Sequence, residues 1–134
     1  MITKQVEDLY SQATFNKGNI LMKYSMFIGR WQPWHKGHRW LIDQRLNENK
    51  NVLICIREVS KNDKNPYDSY GVKENIEKEL KELVDAQRIK VIIIPDIESV
   101  NYGRGVGYDI IEHVPPSDIG KISATKIRAK LFKK

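Results

Sequence analysis

Cysteine is almost absent: the 134-residue chain has one, Cys55. A lone cysteine cannot close an internal disulfide or build a cysteine-based zinc site. The lack of a disulfide framework points to a reducing, cytoplasmic setting. Cys55 lies in the apolar run Val52-Leu53-Ile54-Cys55-Ile56 and reads as a small buried residue. Long hydrophobic runs are also missing. Val91 to Ile94 is strand-sized, far from the roughly 20 apolar residues of a membrane-spanning helix. Residues 1–22 have no apolar stretch behind a basic start, so no secretory signal is expected. There is no internal repeat and no low-complexity tract. The glycine-rich stretch Gly103-Arg104-Gly105-Val106-Gly107 does not fit the dinucleotide spacing Gly-x-Gly-x-x-Gly and reads as a tight turn.

What is present is a globular composition, 40% apolar and 30% charged. The length suits one domain that buries roughly two-thirds of its unfolded surface. Lys and Arg number 23 against 17 Asp and Glu, a net charge of +6 that favours anionic partners, nucleotide or nucleic acid. Residues 1–22 read as an N-terminal extension, with Val6, Leu9, Tyr10 and Ala13 on one face of a short helix. Residues 23–134 alternate strand-like and helix-like segments. Strands are predicted at Tyr24–Ile28, Asn51–Ile56, Ile89–Ile94 and Tyr108–Val114. Helices are predicted at Gly37–Asn47, with Trp40 in the core, at Val72–Ala86, with Ile76, Leu80, Leu83 and Val84 on one face, and at Ser123–Phe132. This alternation predicts a single α/β domain: a Rossmann-like parallel sheet with helices on both faces. Ligands of such sheets bind beyond the carboxyl ends of the strands.

The first strand runs directly into Gly29-Arg30-Trp31-Gln32-Pro33-Trp34-His35-Lys36-Gly37-His38, which opens the first helix. At a helix start, His35 and His38 share a face. Gly37 lets an anion approach the backbone, the unpaired N–H groups add partial positive charge, and Arg30 can grip phosphate oxygens. His-x-x-His here lacks the acidic residue of His-Glu-x-x-His, so direct protein ligation of a metal is not predicted. A second helix start, Ile122-Ser123-Ala124-Thr125-Lys126-Ile127-Arg128, lies about 85 residues further on. Its hydroxyls can cap the helix and bind an anion through the same N–H groups, with Lys126 and Arg128 adding charge.

Together these stretches resemble the nucleotidyltransferase superfamily with the His-x-Gly-His and Ile-Ser-x-Thr-x-x-Arg signatures, the cytidylyltransferase-like fold. The first motif looks most like the archaeal-type nicotinamide mononucleotide adenylyltransferases. The resemblance spans residues 24–132. It implies that Arg30, His35, His38 and Arg128 are catalytic, and that Gly29, Trp31, Gln32, Gly37, Ile122, Ser123 and Thr125 complete a nucleotide site. It also implies attack by a small phosphorylated acceptor on the α-phosphorus of a nucleoside triphosphate, with Mg²⁺ neutralising phosphate charge and pyrophosphate leaving. A homo-oligomer is implied as well.

Several weaker features fit the same edge of the sheet. Lys61 and Lys64, in the loop after the second strand, are candidate triphosphate contacts, and Asn65-Pro66-Tyr67 resembles the family's Asn-Pro-Phe. Asp96 lies where acceptor contacts begin in the family, and Tyr102 is a candidate substitute for its stacking tryptophan. The first motif favours ATP as donor. The short length and the closing motif favour CTP and an acceptor such as glycerol 3-phosphate; the balance leans to ATP. The reading of another class is a basic nucleic-acid-binding module using Lys126, Arg128, Lys130, Lys133 and Lys134. These charges lack interleaved aromatics, so no nucleic-acid partner is expected, and without a long apolar run no membrane partner is expected either.

Overall fold

The computed structural model describes residues 22–121. Residues 1–21 of the N-terminal extension and the whole second motif, Ile122, Ser123, Thr125, Lys126 and Arg128 included, lie outside them. The described chain is a Rossmann-like α/β unit. Strands β1 (Tyr24–Gly29), β2 (Asn51–Glu58) and β3 (Ile89–Pro95) form a parallel sheet in the order β1-β2-β3. Helix α1 (Lys36–Leu46) joins the first pair, and α2 (Ser69–Glu79) with the short α3 (Lys81–Asp85) joins the second. Helix α4 (Ser117–Gly120) ends the described chain.

The register explains where the core lies. Phe27 pairs with Ile54 and Ile54 with Val91; Gly29 pairs with Ile56 and Ile56 with Ile93. Alternation therefore puts Phe27, Val52, Ile54, Ile56, Ile89, Val91 and Ile93 on one face. Ile42 and Leu46 of α1 and Val72, Ile76 and Leu80 from the second crossover pack on that face. Crossovers of the same hand between successive neighbouring strands carry α1 and α2 to the same side of the sheet. The other face carries Met26, Ile28, Leu53, Cys55, Ile92 and Ile94, and Met26 is 58% exposed there. No helix among the described residues is long and apolar enough to cross a membrane.

Three local expectations change. The predicted helix over 72–86 is two helices, because Leu80 leaves helical geometry at φ −112°, ψ 26° while its side chain stays in the core. No glycine or proline marks that break. Trp40 does not join the core cluster. It lies two positions from Ile42, roughly 200° around the helix, and so turns away from the sheet. Tyr108–Val114 forms no strand: it is irregular and exposed between a glycine-rich turn and Pro115-Pro116. Strand preference reflects packing against neighbours, and here the apolar side chains find few. Only His113 reaches the sheet among these residues by a ring contact, stacking on Phe27 at 6.1 Å.

Candidate active site

The carboxyl ends of all three strands emerge on one edge, and the first motif covers it. Gly29 ends β1. A side chain there would meet the indole of Trp31 at 3.1 Å. Trp31 adopts a left-handed backbone, φ 54°, uncommon for a bulky residue. Burial to 5% exposure and an indole Nε1–H donated to the Cys55 carbonyl at 3.0 Å hold it there. The Gln32–Pro33 peptide is cis. Trp34 then leads to His35, the N-cap of α1.

The helix start is capped by histidines. His35 Nδ1 accepts the Gly37 N–H at 3.0 Å, and His38 Nδ1 accepts the His35 N–H at 3.2 Å. This is a reciprocal capping box built from imidazoles in place of the usual hydroxyl and carboxylate. Because each Nδ1 accepts, each neutral ring carries its proton on Nε2. The rings stack at 3.6 Å and 19°. Two protonated imidazoles could not sit so close, nor accept at Nδ1. Accordingly, burial pushes the His35 pKa down; burial first and neighbouring His35 second lower His38 to about 3. At pH 7 the pair is two neutral Nε2–H donors on one helix start. Trp31 and Trp34 wall it, with ring centroids 4.8 and 5.4 Å from His38.

Packing against His35 requires glycine at position 37. A Cβ there would lie 2.8 Å from His35 Cε1 and displace the ring from its capping bond. That position also lies 3.9 Å from the Ile119 carbonyl. The described chain therefore returns to the start of α1 and ends at Lys121, one residue before the second motif. A cavity of about 310 Å³ opens beside the pair, with Trp34, His35, Lys36 and Arg39 in its wall.

The remaining predicted residues divide. Arg30 donates to Asn65 Oδ1 at 3.3 Å, which ties the first motif to the loop carrying Lys61 and Lys64. Both lysines are exposed. Asp96, beyond β3, is taken up by Arg57 at 2.7 Å. Tyr102 is 64% exposed and joins none of the ring contacts among the described residues. Sequence reasoning did not single out Arg57 or Asn62. Arg57 sits on β2 opposite Ile94, one residue from the β3 end, where its reach to Asp96 follows only from register. Asn62 Oδ1 accepts from the Lys64 and Asn65 N–H groups, an Asx turn that the run Asn62–Pro66 could have disclosed. Among the described residues no group of three or more His, Cys, Asp or Glu is placed to hold a metal ion. Comparison with protein-family models, curated proteins and solved structures finds no match to this chain.

Proposed function

We propose that this chain is a nucleotidyltransferase. It moves a nucleoside monophosphate from a nucleoside triphosphate, ATP in preference to CTP, onto a small phosphorylated acceptor. A phosphate oxygen of the acceptor attacks the α-phosphorus. The bond from that phosphorus to the bridging oxygen of the β-phosphate breaks, and pyrophosphate leaves with the electron pair. The acceptor phosphate is largely ionised at neutral pH, its second pKa being about 6, so no strong base is required. Catalysis is then positioning and charge stabilisation.

The observation that carries this reading is the histidine pair. Neutral imidazoles with Nδ1 engaged by backbone N–H groups offer fixed Nε2–H donors to charge that builds on the α-phosphate oxygens. They need no reorientation as the charge develops. The helix start adds the partial positive charge of its free N–H groups. Arg30 stands at the same strand edge, fit to hold the leaving pyrophosphate together with Lys126 and Arg128 of the second motif. The return of the described chain to Gly37 at Ile119, three residues before Ile122, supports a shared site for the two motifs. Mg²⁺ enters bound to the triphosphate, where it neutralises phosphate charge and requires few protein ligands.

Pyrophosphate release tests the reading. ATP, CTP, GTP and UTP are each paired with a panel of phosphorylated acceptors that includes nicotinamide mononucleotide and glycerol 3-phosphate. Acceptor-dependent release, strongest with ATP, is expected. Salt-dependent binding of DNA or RNA, with no release from any pair, overturns it.

A further inference from the structure

Gln32 is 2% exposed, among the most deeply buried polar residues described. Its Nε2 donates to the Tyr67 carbonyl at 2.7 Å, and its Oε1 accepts the Tyr67 N–H at 3.0 Å. One side-chain amide thus engages both backbone groups of one residue 35 positions away, as a paired strand would. A second link runs beside it. Arg30 donates to Asn65 Oδ1, and Asn65, 6% exposed, is itself fixed by Asn62. Asn62 and Asn65 also exchange both backbone hydrogen bonds, at 2.9 and 3.0 Å. The loop after β2 is therefore a small rigid turn, joined to the first motif at two points.

We propose that Gln32 is a positioning residue. It locks Tyr67, and with it the whole 59–68 loop, onto the first motif, and Asn65 on that loop then sets the Arg30 guanidinium. The resemblance placed Gln32 on the nucleotide; the geometry gives it a role through the loop. The lock stands on its own, and its effect on turnover rests on the nucleotidyl-transfer reading. Removing the amide leaves the part-buried backbone N–H and carbonyl of Tyr67 without their Gln32 partner, which is costly unless the loop opens to water. Lys61 and Lys64 sit on this loop, so loop opening exposes two sites to trypsin.

The full chain is digested briefly with trypsin, and cleavage after Lys61 and Lys64 is quantified by mass spectrometry. Cleavage after Lys90, within β3, reports global opening. Gln32→Leu is expected to accelerate loop cleavage about tenfold or more relative to cleavage after Lys90. Gln32→Glu keeps the volume and the acceptor but loses the donor. It sets a carboxylate oxygen against the Tyr67 carbonyl, gives the same pattern, and serves if the leucine variant fails to fold. Equal relative cleavage in wild type and variants overturns the lock. In pyrophosphate release, Gln32→Leu is expected to lower kcat/KM about tenfold with Arg30 present and less than about twofold in an Arg30→Ala background. Additive losses overturn the route through Arg30. A wild-type chain that turns over no triphosphate refutes the functional reading, and the digestion alone then decides the lock.

Discussion

Two loop-bearing stretches at opposite ends of the described chain behave in opposite ways. Residues 29–38 are irregular up to the helix start, yet most are buried or half-buried. Trp31, Gln32, His35 and His38 each have a defined hydrogen-bond partner. Residues 100–114 contain more large apolar side chains, yet Val100, Tyr102, Tyr108, Ile110, Ile111 and Val114 remain largely exposed. Apolar content does not order a segment. The first stretch has β2 beneath it and the 59–68 loop beside it, and its polar groups are matched to theirs. The second meets the described fold at few points, His113 on Phe27 among them.

The sharpest way to break the comparison is at His38. On the proposed nucleotidyl transfer, His38→Ala removes a donor to developing charge, so turnover is expected to fall by about two to three orders of magnitude. Circular dichroism should stay that of the folded chain. Pyrophosphate release near the wild-type rate would end the catalytic role. Next comes one substitution in two settings. Ile56 is fully buried against the helices, and Ile56→Ala should cost about 2–5 kcal/mol in urea unfolding.

Acid gives a third, smaller effect. The folded pKa of His38 lies near 3, below its unfolded value, so this stability is complete above about pH 6.5 and is lost as pH falls toward 3. Lowering the pH from 7 to 5.5 should cost the wild type about 1 kcal/mol more than His38→Ala, measured by urea midpoints at both pH values. The smallest effect belongs to the exposed stretch. Ile110→Ala should shift stability by no more than about 0.5 kcal/mol, an order of magnitude less than the extreme expected for the same change at Ile56. A larger loss there would mean that the 100–114 stretch carries packing beyond the contacts seen on the described residues.

The sheet was legible because parallel strands covered by helices are nearly continuous apolar runs. Asn51–Ile56 and Ile89–Ile94 could be little else. The start of α1 was legible because the stretch ending in His35-Lys36-Gly37-His38 directly follows a strand and precedes helically spaced apolar residues. Less visible were features that depend on register or long-range closure. The Arg57–Asp96 pair needs β2 and β3 aligned. The partner of Gln32 lies in a loop that composition marks only as polar. The reason for Gly37 was read as room for an anion, whereas the ring of His35 already claims that space. Tyr108–Val114 misled because strand preference is measured where a neighbour exists. For the predicted helix of residues 123–132, the described chain supplies only the approach.

The indoles around His38 have a practical consequence. Trp31 and Trp34 lie edge-on and tilted against its imidazole. A charged imidazole quenches indole emission by electron transfer, while a neutral one does so weakly. Proton uptake by the pair will therefore register in the chain's intrinsic fluorescence. The molecule carries its own optical gauge of the protonation of its histidines, without any attached dye.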